Sequence, residues 1–395
     1  RVSRAMPVWF KIAIGGHMAL LVGMGLGRFS YTPMVPALTG AGVLSAPEAG
    51  AVGAVNLGAY VVGGLASGWL ARRFRPARVL QVCLALAALA LLACMVPGGF
   101  WWLAWWRGLI GAAVAVMMIC GIALVANAAP PGRLGLATAI AFTGVGVGIF
   151  LSAIGLPWLL ARGLIWAWAG AAAVGLVAAA IGLWAWRAAL PLSLTPPAGA
   201  ATDGDGGAGR RLVLAQALFS LGLVPHSIYW VDFLVAARDW PLQAAGQQWA
   251  LFGLGALGGT VLWGMLADRL GFGRALVLVF VSLSAGIALP FVWSAPAAAI
   301  LSILVVGAQP GFSAIVAGRA RLAVGPAAMI VLWRWMVVAV GAAQMIGGAG
   351  LVWLFTLTGS YVAVFAVGAA AMAAGAVTVA GLPRDRPAVA AGEDC

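Results

Sequence analysis

Two short stretches decide how this chain is built. The first reads Gly68-Trp69-Leu70-Ala71-Arg72-Arg73-Phe74-Arg75-Pro76-Ala77-Arg78, and the second Gly264-Met265-Leu266-Ala267-Asp268-Arg269-Leu270-Gly271-Phe272-Gly273-Arg274. Shifting the first by 196 residues lays Gly68, Leu70, Ala71, Arg73 and Arg78 on Gly264, Leu266, Ala267, Arg269 and Arg274. The same shift lays Gly63 on Gly259. The offset is close to half of 395 residues, so the spacing predicts two halves related by duplication.

Each stretch follows a long apolar run, and composition explains why. The chain is 64% hydrophobic and 8% charged. A soluble domain carries roughly 45–50% apolar and about 25% charged residues. A soluble enzyme, a disulfide scaffold and a disordered chain are excluded, and a polytopic membrane protein remains. The 56 Gly and 19 Trp agree, since small residues let membrane helices approach closely and Trp favours the interfaces. Cys83, Cys94, Cys120 and Cys395 form no CxxC pair and read as small apolar residues.

A spanning helix needs about 20 mostly apolar residues. Twelve runs qualify: 12–38, 49–71, 79–97, 100–126, 136–160, 163–186, 212–235, 243–267, 275–294, 296–318, 328–354 and 357–381. They are continuous and do not alternate, which predicts helices rather than barrel strands. The expected fold is an all-α membrane protein of two pseudo-symmetric six-helix bundles. The bundles cover 1–187 and 212–395, the latter ending in a short tail. Residues 188–211 join them, with Pro191, Pro196, Pro197 and Thr202-Asp203-Gly204-Asp205-Gly206-Gly207 reading as a flexible linker.

Lys and Arg excess marks the cytoplasmic side. With the N-terminus inside, seventeen basic residues are cytoplasmic: Arg1, Arg4, Lys11, Arg72, Arg73, Arg75, Arg78, Arg133, Arg187, Arg210, Arg211, Arg269, Arg274, Arg319, Arg321, Arg384 and Arg386. Only Arg162 and Arg238 fall outside. Both termini are therefore expected in the cytoplasm of a bacterial cell whose inner membrane holds the chain. Most of the net charge of +13 is then topology, not nucleic-acid binding.

The second stretch, Gly264 to Arg274, resembles the signature loop of the major facilitator superfamily, Gly-x-Leu-Ala-Asp-Arg-x-Gly followed by Arg. The first copy departs from it, with Arg72 at the Asp position and Arg75 at the second Gly position. Arg107-Gly108-Leu109-Ile110-Gly111 resembles the Arg-x-x-x-Gly pattern of the family's fourth helix. Gly25-Leu26-Gly27-Arg28-Phe29-Ser30-Tyr31-Thr32-Pro33 resembles the first helix of the YbfB/YjiJ-type branch. The resemblance implies a cytoplasmic gate at Gly264, Asp268, Arg269 and Arg274, with the acid pairing to Arg269 or Arg274. The antiporter signature of the fifth helix is missing, since Gly144, Gly146, Gly148, Gly155 and Pro157 are only loosely similar.

Charge at membrane depth costs about 2.5–3.5 kcal/mol per residue, so each such residue needs a partner or a wet cavity. Arg28, Arg107, Asp232 and Arg334 are the charged candidates, with His17, His226, Asn56, Asn127 and Gln344 as neutral ones. A planar guanidinium donates two parallel hydrogen bonds to a carboxylate or phosphate. Arg28, Arg107 and Arg334 are therefore expected to bind substrate, with Tyr31, Tyr229 and Trp230 packing on its carbon skeleton and Tyr60 a further aromatic candidate. Pairing with a neighbouring helix or snorkelling is the alternative for Arg28, and snorkelling to the cytoplasmic face the alternative for Arg334. Asp232 and His226 are candidate proton carriers, with Arg107 in a coupling role, and Asp232 paired with Arg238 is the bland alternative. Pro225 is expected to break or kink the seventh helix; His226, Tyr229 and either Asp232 or Phe233 are expected on one face. His17 reads as a hydrogen-bonded core residue.

The spacing of Met and His supports no metal site, and no nucleophile elbow, HExxH or phosphate loop is present, so neither a metal, a cofactor nor an enzyme is expected. The expected function is secondary transport of a small anionic or zwitterionic organic solute by alternating access, driven by protons. The partners are then the solute, protons and the lipid bilayer, with no nucleic acid, and the chain acts as a monomer. The rival readings are an exporter of hydrophobic or cationic compounds on the same fold, and a non-transporting membrane receptor.

Overall fold

A computed structural model of the chain describes residues 6–194 and 206–382. Arg1, Arg4, Pro196, Pro197, Thr202–Asp205, Arg384, Arg386 and Cys395, used in the sequence reading, lie outside the described residues. Every regular element among the described residues is a helix. That follows from the solvent: hydrocarbon offers the backbone no partners, and a helix satisfies its own N–H and C=O groups.

The spans are α1 Val8–Gly40, α2 Pro47–Arg73, α3 Pro76–Ala93, α4 Gly99–Ala128, α5 Leu134–Leu160, α6 Leu164–Ala189, α7 Gly207–Arg238, α8 Gln243–Leu270 and α9 Phe272–Val292. Pro296–Thr358 then run as one stretch of 63 residues. Gly325 interrupts it at φ +73°, ahead of Pro326. Positive φ favours Gly and Pro is at home in a first helical turn, so the pair stops one helix and starts another. The two pieces are α10, 296–324, and α11, 326–358; α12 is Tyr361–Ala380. Among the described residues twelve spans result, as the apolar runs imply. α2 begins earlier than hydropathy indicates because Ser45 and Glu48 close a capping box, with the Ser45 N–H donating to the Glu48 carboxylate at 2.7 Å. α7 reaches back to Gly206 and Gly207, so the last residues of the expected linker are helical.

Spans α1–α6 pack on one another, and α7–α12 do likewise. The duplication is visible contact by contact. α2 crosses α4 where Gly63 meets the Ala112 backbone and Gly111 meets Asn56. α8 crosses α10 where Gly259 meets Ala308 and Gly307 meets the Phe252 backbone. Each second-half contact is its first-half counterpart moved by 196 residues. A Cβ at any of the four glycines would collide with the facing helix, so the crossings depend on small residues.

The two sets of six meet along two seams. α5 lies against α8 through Gly135 on Gly264, Gly146 on Ala256 and Phe150 on Gly253. α2 lies against α11 through Gly68 beside Arg334, Gly64 beside Val338, and Tyr60 and Val61 beside Gly341. Gly50 and Gly53 continue the α2 face, and Gly246 the α8 face, and all three meet open space. The seams are therefore closed at the end carrying Arg72, Arg133, Asp268 and Arg321, the basic end, and parted at these three glycines toward the other.

Candidate functional site

The closed and parted regions meet at Arg28. The local sequence explains its position. Leu21–Leu26 form a π-helical turn, with Gly27 N–H donating to the Val22 carbonyl at 2.8 Å, and Gly27–Ser30 leave the helix before Tyr31 resumes it. A π-turn inside a membrane helix is a local fault that marks functional sites in many proteins. Here it sets Arg28 at a break, pointing across the seam. Its Nη2 donates to Gln344 Oε1 of α11 at 2.6 Å. Its guanidinium carbon lies 5.9 Å from the Tyr60 ring and 5.8 Å from the Phe29 ring. The side chain is partly exposed, and among the described residues no carboxylate pairs with it. One amide oxygen and two ring faces leave several of the five guanidinium donors for a further acceptor.

Arg107 does different work. It is 2% exposed and stays inside the first six spans. Its Nη1 donates to the Gly27 carbonyl, freed by the break in α1, and its guanidinium stacks 4.5 Å from the Tyr31 ring. Asn56 Nδ2 donates to the Arg107 carbonyl at 2.6 Å, and Tyr31 Oη to the Ala49 carbonyl at 2.9 Å. Arg107, Tyr31 and Asn56 thus tie α1, α2 and α4 together behind Arg28. The sequence expectation put Arg107 and Tyr31 against substrate; the structure puts them behind the residue that faces the seam. A second π-turn, Met117–Gly121 in α4, has the same logic: the Met118 carbonyl accepts from Trp333 Nε1 of α11 at 3.0 Å.

Arg334 does not join Arg28. It sits ten residues before Gln344 on α11, about 15 Å by helical rise. It lies at the basic end against Gly68, with its Nε buried and without a hydrogen-bond partner.

Asp268, at the end of α8, reaches the start of α5. Its carboxylate accepts from Gly135 N–H at 2.7 Å and Leu136 N–H at 2.9 Å. This corrects the expected pairing with Arg269 or Arg274. The first N–H groups of a helix have no intrahelical acceptor and carry partial positive charge, so a carboxylate satisfies them better than a solvated arginine is satisfied by it. Gly264 allows the approach, since a Cβ there would strike Ala139 and the Gly135 carbonyl. Asn127 adds a second tie, donating to the Pro326 carbonyl at 3.3 Å and accepting from Arg321 Nε at 3.2 Å.

The candidates on α7 are split between two faces. His226 is buried in the second six spans, its Nε2 3.0 Å from Ser302 Oγ, its ring stacked 4.5 Å from Trp230. Trp230 is equally buried, against Phe365 and Phe233. Asp232 is exposed and accepts from Tyr361 Oη at 2.5 Å; Tyr229 lies beside Phe355 and Tyr361. Of the two residues expected to share a face with His226 and Tyr229, Asp232 does not, because residues three and six apart on a 3.6-residue turn drift round the helix; Phe233, seven from His226, meets the same Phe365 ring, and meets Tyr361 as Tyr229 does. Arg238 turns away from Asp232 to the Pro290 and Ser294 carbonyls. Pro225 does not break α7, which runs through it with the ring packed at Gly368. His17 is hydrogen-bonded in the core, its Nδ1 3.0 Å from both the Ile140 carbonyl and Thr143 Oγ1.

The model of the family described as uncharacterised MFS-type transporter YbfB matches residues 20–380. The chain belongs to this family. No curated protein sequence matches it. Among solved structures, it is similar to the proton:xylose symporter XylE bound to 6-bromo-6-deoxy-D-glucose, with TM-score 0.75, 15% identity, and 95% of this chain and 96% of that one covered. A bacterial homologue of the iron transporter ferroportin in an outward-facing state gives TM-score 0.71 and 17% identity, covering 95% and 98%. The fucose:proton symporter FucP of E. coli gives 0.72 and 12%, covering 94% and 97%. At these identities the likeness establishes the fold of an MFS transporter.

Two partners in this YbfB-type transporter escaped the sequence reading. Ser302 has no signal beyond its type. Tyr361 could have been found, since it is one of only four tyrosines. The role of Arg107 gives a test. Arg107→Ala strands the Gly27 carbonyl and removes the ring stack, and is expected to lower the melting temperature by several degrees, with a cost of about 2–4 kcal/mol. Arg107→Lys, which lacks the planar fork, is expected to recover less than half of that loss. Thermal unfolding of the purified protein checks both.

Proposed function

We propose that this protein is a secondary active transporter for a small anionic or zwitterionic organic solute, working by alternating access and coupled to protons. The reading rests on one observation: Arg28, at the boundary between closed and parted seam, has donors to spare and no carboxylate partner among the described residues. Taking the basic end as cytoplasmic, which the arginine excess supports, and the membrane as the bacterial inner one, the parted seam opens outward. A solute carboxylate would then descend to Arg28, beside Tyr60 and Gln344, and the halves 1–187 and 212–395 would rock about it. The same geometry supports a monomer as the working unit, since the parted seam lies within one chain. Proteoliposome uptake with a panel of short carboxylic acids, amino acids and organic cations tests the reading. Preference for the carboxylates is expected, and preference for the cations sinks it.

Asp232 is the proposed proton carrier, its carboxylate held by the Tyr361 hydroxyl at the open end of α7. Asp232→Asn is expected to leave exchange of solute across the membrane intact while uptake driven by an imposed pH gradient falls at least about tenfold. Equal loss of both would assign Asp232 a structural role. The same residue favours a second reading: a carboxylate beside Tyr229, Phe355 and Tyr361 offers both charge and ring faces to an organic cation. Cation export from inverted vesicles would support it.

A further inference from the structure

The two copies of the duplicated loop do opposite things at the basic end. In the second copy Asp268 supplies a carboxylate that clasps α8 to α5. The residue in the same place in the first copy is Arg72, on α2, and the helix it faces across the seam is α11. There the seam holds two guanidinium groups. From the point where a Gly68 Cβ would sit, Arg334 Nη1 is 2.6 Å away and Arg72 Nη1 3.5 Å away. The two side chains, one from each half, converge on one spot. Among the described residues no carboxylate joins them, and the buried Nε of Arg334 makes no hydrogen bond. Gly68 is what admits them, as Gly264 admits the α5 backbone in the other copy.

Two like charges drawn together across a closed seam oppose its closure. The closed state nonetheless brings them together, and Arg72 is exposed to the basic end. We propose that Arg72 and Arg334 form a cytoplasmic anion site that takes a phosphate-type oxyanion, which replaces the carboxylate missing from the first copy and holds the seam shut. The oxyanion bridges the two forks with parallel N–H···O bonds. The site lies ten residues along α11 from Gln344, the residue that bonds Arg28, a helical rise of about 15 Å, and is independent of the solute proposed there. An inorganic phosphate from the cytoplasm and the phosphate of an anionic lipid headgroup present the same chemistry.

The experiment is thermal unfolding of the purified full chain in detergent, with inorganic phosphate against gluconate at equal ionic strength. Wild type is expected to gain about 3 °C with phosphate. Arg72→Ala and Arg334→Gln lose the gain. Arg72→Asp supplies the carboxylate from the chain itself, so it is expected to melt higher than wild type in gluconate and to ignore phosphate. Arg28→Gln keeps the full phosphate gain, which separates this site from the proposed solute site. Nanodiscs of phosphatidylglycerol against phosphatidylcholine distinguish the sources: a gain in the former without phosphate, lost in Arg72→Ala, assigns the anion to lipid. A phosphate gain of equal size in Arg72→Asp and Arg334→Gln, or no gain in wild type in either medium, overturns the proposal.

Discussion

Arg28→Gln is expected to reduce uptake of an anionic solute by about 30- to 1,000-fold, without lowering the melting temperature by more than a degree or two. The size follows from what is lost. A charge-assisted, two-pronged contact between a guanidinium and a carboxylate, desolvated at a narrow seam, is worth about 2–4 kcal/mol on truncation, and each 1.4 kcal/mol is tenfold. The insensitivity of stability follows from how little protein Arg28 holds: one bond to Gln344 and two loose ring contacts. Gln344→Ala separates the parts. It removes the bridge to α11 but leaves the cation, so a change of no more than about fivefold is expected. The loss should fall on KM where Arg28 binds the solute in its resting state. Wild-type uptake by Arg28→Gln would remove Arg28 from the site and the anion preference with it.

The second large effect concerns the clasp. Asp268→Asn keeps the shape of the side chain but removes the charge and one of the two acceptors that hold Gly135 and Leu136. Each charge-assisted bond contributes about 1.5–3 kcal/mol, and the helix N-terminus about 0.3–1 kcal/mol more. Water that enters on opening recovers part of this, leaving about 2–3 kcal/mol. The equilibrium between seam closed and seam open at the basic end is therefore expected to move about 30- to 150-fold toward open. Thr138 is fully buried one turn into α5. A Thr138→Cys reporter is expected to be alkylated from the basic side at a correspondingly higher rate in the Asp268→Asn background. Arg269→Ala and Arg274→Ala are expected to leave that rate within about twofold, since neither arginine holds the carboxylate. Equal acceleration by all three would restore the arginine pairing that the loop motif alone implies.

These residues also show what kind of information a linear chain carries. The membrane class, the helix count and the duplication were legible because each is a property of composition or spacing. The offset of 196 residues, read from one loop, reappears at Gly63 with Ala112 and Gly259 with Ala308. The list of charged residues at membrane depth was legible too, because each is costly there and few exist. Their assignments were not. Arg28 and Arg107 look alike in sequence, each an arginine beside glycines in an apolar helix. One reaches across the seam and the other fills the gap left by a broken turn, and that difference lies in the π-turn of Leu21–Leu26. Hydropathy does not register such a turn, since the residues stay apolar while the hydrogen bonds shift by one register.

Partner choice was beyond reach for a related reason. Asp268 passes over two neighbouring arginines for two backbone amides more than 130 residues away. Backbone amides have no letter in a sequence, so an acid is naturally read against the nearest base. The sequence by itself determined the bilayer as solvent, twelve spans, two matched halves and a basic face, because burial cost and repetition act on residue type alone. The tertiary structure decided which arginine faces the seam, which braces it, and what Asp268 and Arg72 each meet, because those depend on close approach of backbones from opposite halves of the chain.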